Sequence, residues 1–435
     1  MRRIRDPVHG FIHLSQDELK LVETRAFRRL RNIKQLALTY LVYPGAMHTR
    51  FEHSLGVMEL ATMAFDAVSR RSSGQLEANF KKLGWKTEQA RALLRTTALL
   101  HDVGHLPFSH TGEDILPTKE ADKRVTHEDV SIAIIRENEI ASILEDKFYS
   151  GIVEHVALLL DENREVPPEL LILKKILSGQ FDADKMDYLL RDSLHCGVGY
   201  GNFDYLRLLE TLLVKEAPEG GLELCLERGG IHTLEAMMLA RYWMFTQVYY
   251  HKTRRIYGLY LSRYLKEWYE NQYEDLLGIL KHDDLSLMQS IRYDADTVSE
   301  NPGRREYARR ILYREHHRVV YETGNHADIK DRRVAGKLQK SLEEHYPGLN
   351  FILDGDASGI VHKFYVKGDE EEGDEFFIYD AVARRYSRLS EQSRIFEKMP
   401  KRFQVVRIYA DIPKDSLPQY REFATAKAQE IGEAM

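Results

Sequence analysis

Cysteine is nearly absent from this chain: 435 residues hold only Cys196 and Cys225. That excludes a disulfide scaffold and fits a reducing compartment. No apolar run approaches the ~18–20 residues that a membrane span needs. The opening Met1-Arg-Arg-Ile-Arg-Asp-Pro7 lacks the apolar core of a secretory signal. The expectation is a cytoplasmic protein with no membrane partner. An excess of positive charge is missing as well. Net charge is −6, so no global field draws in nucleic acid, and only local basic patches are left to do so. Internal repeats and long low-complexity segments are lacking, which excludes a solenoid. The rest is ordinary for a globular protein, and the length is enough for two or more compact units.

The first ~270 residues read mainly as helix. After His53, the residues Leu55, Met58, Ala61, Ala64, Phe65 and Val68 recur at three- and four-residue spacing, the mark of an amphipathic helix. Thr87 is the expected N-cap of a second helix that ends near Gly104, with Pro107 beyond it. A third helix is expected from about Asp182 to Asp192, stopping before Gly197. A fourth is expected from His232 to Tyr250, and another from about Asn301 to Arg318. Near residue 350 the pattern changes. Asn350–Leu353, Ile360–Val366, Phe376–Tyr379 and Gln404–Tyr409 are short, β-branched and aromatic, and predict one small sheet. The acidic run Gly368–Glu375 between two of them reads as a solvated hairpin tip. The expected fold class is mainly α: a helical bundle core over residues 1–270, a helical connector over 271–340, and a smaller C-terminal α+β lobe over 341–435 containing a short sheet.

Three separated segments carry the chemistry: Arg50-Phe-Glu-His53, His101-Asp102, and Asp182-Ala-Asp-Lys-Met-Asp-Tyr188. His53, His101, Asp102 and Asp184 offer two imidazoles and two carboxylates to one divalent ion, built from facing helices. That donor set admits Mn, Fe, Co, Ni or Zn and leaves open coordination positions. A lone His-Asp pair is a weak signal. Its surroundings strengthen it, because His101-Asp-Val-Gly-His105-Leu-Pro-Phe-Ser-His110 packs three histidines into one Gly/Pro-broken segment. His105 and His110 are the candidates for proton transfer, since imidazole titrates near neutrality. Arg50 lies one helical turn from His53, and its guanidinium suits phosphate oxygens.

The set His53…His101-Asp102…Asp184 resembles the signature of the HD-domain metal-dependent phosphohydrolase superfamily. The strings Asp6-Pro-Val-His-Gly10, Arg29-Leu-Arg-Asn-Ile-Lys-Gln-Leu36, His48-Thr-Arg-Phe-Glu-His-Ser-Leu-Gly56, Thr126-His-Glu128 and Asp184-Lys-Met-Asp-Tyr-Leu-Leu-Arg-Asp192 are similar to its deoxynucleoside triphosphate triphosphohydrolase branch. The resemblance is strong over residues 1–260 and weak beyond. It implies an HD-domain helical core and conversion of a dNTP to deoxynucleoside and inorganic triphosphate. It further implies that His110 gives a proton to the leaving 5′ oxygen, that His105 lies near the α-phosphate, and that His127 and Glu128 complete the relay. Lys185 and Arg241 match phosphate contacts. Tyr188 matches the ring that crowds out a 2′-hydroxyl, and Asp192 the carboxylate that accepts the 3′-hydroxyl. Tyr249 matches another pocket wall, and Gln35 and Leu36 match sugar and base contacts. Mg is expected with the substrate phosphates, and a homodimer or homotetramer as the assembly. Glu23, Arg28 and Arg31 match a regulatory nucleotide site, but the family has Gln where this chain has Arg28, which puts guanine-specific activation in doubt. The same scaffold also admits a phosphodiesterase or nuclease acting on single-stranded nucleic acid or a nucleotide second messenger, and a non-catalytic nucleotide sensor.

Overall fold

Helix ends are set by the groups that can satisfy the backbone left unpaired there. A computed structural model describes residues 2–117, 124–218, 220–269, 276–297, 301–365 and 374–435. The His53 helix runs Arg50–Lys81. Thr49 precedes it, and the Glu52 side chain reaches back to the Thr49 N–H at 3.0 Å. The next helix runs Thr87–Leu100. Thr87 is its first residue rather than its cap. Lys86 holds the cap position, because Gln89 Oε1 accepts the Lys86 N–H at 3.0 Å. The third helix, Ala183–Cys196, is capped by Asp182, which accepts the Lys185 N–H at 2.7 Å. It closes on Gly197, whose φ of 69° suits a residue without Cβ. The fourth runs Ile231–Met244 and continues as a π-helical turn, Phe245–Tyr249. The basic helix is shorter than expected, Pro302–Leu312, and Arg318 opens a strand instead.

Among the described residues, the strands are β1 (Arg2–Asp6), β2 (Gly10–Leu14), β3 (Leu212–Glu216), β4 (Leu222–Glu227), β5 (Arg318–Glu322), β6 (Phe351–Ile360), β7 (Phe377–Asp380), β8 (Arg385–Arg388) and β9 (Arg402–Ala410). They form a β1-β2 hairpin, a β3-β4-β7-β8 sheet and a β5-β9-β6 sheet. The single expected C-terminal sheet is therefore two. β7 leaves the C-terminal strands and pairs parallel with β4, setting Phe377 opposite Cys225. Ile360 ends β6, while Phe364 makes only an isolated bridge to Asp374. Of the acidic run, residues 368–373 lie outside the described residues.

The chain divides into two compact units. The first comprises Met1–Arg241, Tyr269–Met288 and Lys363–Met399. Its core is helical, with Leu55, Met58, Phe65, Leu93, Leu94, Leu99 and Leu189 all at most 2% exposed. Burying side chains of this size contributes ~1.5–3 kcal/mol each. The second comprises Tyr242–Trp268, Gln289–His362 and Pro400–Met435. There the helices Ile329–His345 and Leu417–Glu433 bury Val334, Leu338, Leu342, Ala424 and Ala428 with Phe351 and Ile408 of the sheet. No helix among the described residues is long and apolar enough to cross a membrane.

Candidate active site

The first unit brings His53, His101 and Asp102 together: one ligand atom from each lies within 4.8 Å of the others. Asp184 Oδ1 stands 3.0 Å from His53 Nε2 and 3.9 Å from His101 Nε2. Each imidazole is oriented from behind. His101 Nδ1–H donates to the Ala98 carbonyl at 2.8 Å, and His53 Nδ1–H donates to Asp187 at 2.8 Å. Both Nε2 atoms are buried and face the carboxylates Asp102 and Asp184. Two such nitrogens and two oxygens fit a first-row divalent ion. Burial opposes charge on His53, yet Asp184 and Asp187 hold its imidazolium up at about 10. A cation at this position would take over that proton's role.

Asp187 is the support the sequence strings contained but that received no role. It is fully buried and accepts from His53, from His9 Nε2 at 2.6 Å, and from Arg191 Nε and Nη2 at 2.8 and 2.9 Å. Arg191 Nη1 then donates to Asp6 at 2.8 Å. Gly56 faces this network, and a Cβ there would come within 2.0 Å of Asp187 Oδ1. Arg50 is buried and already engaged. Its Nη1 donates to Asp102 at 2.7 Å and its Nε to Ser109 Oγ at 3.0 Å. Burial opposes the Asp102 charge, but Arg50, His101 and His105 hold it well below the usual carboxylate range.

A second cluster adjoins the first. His105 Nε2 lies 3.2 Å from Asp102 Oδ1. Glu113 Oε1 sits 2.6 Å from His110 Nδ1 and 3.1 Å from His127 Nδ1, and Glu128 lies 3.3 Å from His127 Nε2. Glu113 escaped the sequence reading; its only signal was the His110-x-x-Glu113 spacing. The four side chains His105, His110, Glu113 and His127 also have ligand-like proximity. One ion shared by His105 and His127 is disfavoured by their geometry. Their rings stack at 3.9 Å and 16°, so a shared ion would stand about half that separation out of both ring planes, against the ~2.1 Å in-plane bond that imidazole prefers. The arrangement suits proton transfer better. Burial, with Arg50 nearby, pushes His105 well below its ordinary value, so it is neutral. Burial opposes charge on His127, but Glu113 holds it up at about 9. Gly104 lets its segment approach the backbone of the His127 helix: a Cβ there would lie 2.2 Å from Ser131 N and 2.4 Å from His127 O.

The remaining candidates divide. Asp184, Tyr188 and Asp192 recur every four residues, so they share one face of the Ala183–Cys196 helix. Lys185 Nζ is paired with Asp182 at 2.5 Å, and the Arg241 charge acts on both Lys185 and Tyr188. Gln35 and Leu36 are buried in the same unit, and Gln35 Oε1 has no hydrogen bond. Tyr249 lies in the second unit, its ring 5.7 Å from that of Phe245. Glu23, Arg28 and Arg31 are exposed. Arg31 stacks on Phe51 at 3.5 Å and feels the charge of Arg28, but no ion pair joins Glu23 to either arginine among the described residues. Two arginines of the basic helix are paired with carboxylates outside it, Arg310 with Asp411 at 2.6 Å and Arg304 with Asp294 at 2.9 Å.

Residues 50–191 match the HD domain, and residues 203–344 match the HD-associated region. An uncharacterized Methanocaldococcus jannaschii protein, MJ1154, is 30% identical over 97% of this chain and 81% of its own length. This chain belongs to the HD-domain family. Within it, the human deoxynucleoside triphosphate triphosphohydrolase SAMHD1 is 26% identical, over 97% of this chain and 72% of its own. An uncharacterized Bacillus subtilis protein, YwfO, is 36% identical over 60% of this chain and 54% of its own length. A crystal structure of a hypothetical protein from Aquifex aeolicus superposes with a TM-score of 0.75 and 29% identity, covering 97% of this chain and 99% of that one. The cluster of His53, His101 and Asp102 thus lies within the stretch that matches the HD domain.

Proposed function

We propose that this HD-domain protein is a metal-dependent dNTP triphosphohydrolase that releases deoxynucleoside and inorganic triphosphate. The observation that carries the reading is the single helical face bearing Asp184, Tyr188 and Asp192. It runs from the metal ligands to a ring and a carboxylate at ~6 Å steps, the rise of four helical residues. A ring there excludes a 2′-hydroxyl and a carboxylate takes a 3′-hydroxyl, which is mononucleotide recognition rather than strand recognition. The relationship to a named dNTP triphosphohydrolase supports it.

His53, His101, Asp102 and Asp184 would hold the divalent ion, which when bound supplies Lewis-acid polarisation and water activation. The protein's own groups do the rest. Arg50 fixes the Asp102 carboxylate. Lys185 and Arg241 place positive charge beside Tyr188 for the phosphate chain. Water attacks the α-phosphorus, the bond from phosphorus to O5′ breaks, and O5′ takes a proton. In this reading His110 gives that proton, and its pairing with Glu113, which also reaches His127, supports the assignment. An activating nucleotide near Arg28 and Arg31 and assembly into a homo-oligomer belong to the same reading.

Incubating the protein with each dNTP and Mn²⁺ or Mg²⁺, then separating products by ion exchange, tests the proposal. Inorganic triphosphate with free deoxynucleoside is the expected outcome. Diphosphate or monophosphate products, or a ladder from a single-stranded oligonucleotide, would overturn it.

A further inference from the structure

The geometry points to His48 as the positioning residue that fixes the Asp192 carboxylate for recognition of the sugar 3′-hydroxyl. This rests on the triphosphohydrolase reading and goes beyond it, because His48 belongs to neither the HD motif nor the proton relay.

His48 Nε2–H donates to Asp192 Oδ1 at 2.7 Å, and both residues are 2% exposed. The carboxylate can only accept, so it fixes the tautomer: the proton is on Nε2. The other ring nitrogen, Nδ1, is buried and makes no hydrogen bond. The ring is held by packing instead. His195 stacks on it at 4.5 Å and 22°. Burial, and then the neighbouring His48, push His195 below its ordinary value. A carboxylate with one oxygen tied to a rigid ring has a fixed plane and direction, which is the preorganisation that hydroxyl recognition needs.

The backbone of His48 adds a second link. Its carbonyl accepts the Gln35 N–H at 3.0 Å, and Ile33 O accepts the Arg50 N–H at 2.8 Å. A short antiparallel bridge therefore joins residues 33–35 to residues 48–50, with Lys34 opposite Thr49. One residue thus connects two expected sugar contacts, Asp192 through its side chain and Gln35 through its main chain.

The test compares kcat/KM for a 2′-deoxynucleoside triphosphate and its 2′,3′-dideoxy analogue. The wild-type protein should prefer the 3′-hydroxyl substrate. His48→Phe keeps the ring and the stack on His195 but has no N–H; it should cut that preference at least ~10-fold, the worth of one hydrogen bond to a charged group. His48→Gln restores a donor and should recover most of it. Thermal unfolding close to wild type shows that the variants fold, and His48→Ala serves if Phe does not fit. Should a folded His48→Phe keep the wild-type preference, the inference fails while the activity stands. A wild-type protein that releases triphosphate from neither substrate overturns both.

Discussion

At the scale of single residues, the candidate metal ligands can be read from the sequence and the side chains behind them cannot. His53, His101, Asp102 and Asp184 declare themselves by residue type in three short strings. Asp187 reaches His9 and His53 across long sequence separations, and nothing in its type marks it as the group that orients a ligand. Its removal should be costly in two ways. Asp187→Asn takes one of two carboxylates from the buried Arg191 and leaves it Asp6, which costs ~1.5–3 kcal/mol of stability. It also frees the His53 ring, so the affinity for Mn²⁺ should fall ~10–100-fold in calorimetric titration. The Glu113–His127 pair carries a pH signature. His127 is held up at about 9, above its ordinary ~6.5. A raised folded value means that the pair's contribution is fully present below ~6.5 and is lost as pH rises through about 9. Glu113→Gln should therefore lower the melting temperature at about pH 6, by an amount equivalent to ~1.5–3 kcal/mol, and far less at about pH 10. An equal loss at both values would contradict the pairing.

At the scale of elements, periodicity located the helices but not their exact caps, because capping depends on which side chain reaches back. Lys86 acts as a cap position only through Gln89. The strand pairing was out of reach for a different reason. β7 is four residues long and joins β4, about 150 positions earlier in the chain, a partner that local propensity does not encode. Close approaches give the sharpest prediction here. Gly56→Ala puts a methyl carbon on Asp187 and Arg191, so it should destabilise by more than ~3 kcal/mol in denaturant titration, although alanine is the better helix former. Asp284 is a clamp that composition does not reveal. Its two oxygens accept the Phe108 N–H at 2.7 Å and the Lys34 N–H at 3.0 Å, tying the histidine-bearing segment to the one carrying Gln35. Phe108 and Ser109 have φ of 61° and 53°, a strain that such contacts hold in place. Asp284→Ala should lower turnover at least ~10-fold, with metal content measured by emission spectroscopy close to wild type; loss of the metal as well would contradict a role confined to these segments.

At the scale of the whole molecule, the mainly helical class was legible because the periodic helices are long and strongly patterned, whereas the division into two units was not written in linkers. Each unit draws on three separate stretches of the chain, so no Pro/Gly-rich boundary marks it. The candidate metal ligands and the proton-relay residues all fall in the first unit, which makes its architecture the frame for the chemistry. The proposed chemistry needs a cation among four side chains from three separate segments. Anomalous diffraction at the manganese edge, from crystals grown with Mn²⁺, locates that cation directly. One strong peak bounded by His53, His101, Asp102 and Asp184 is the predicted result. A peak seated instead among His105, His110, Glu113 and His127, or no peak in the first unit, would contradict it.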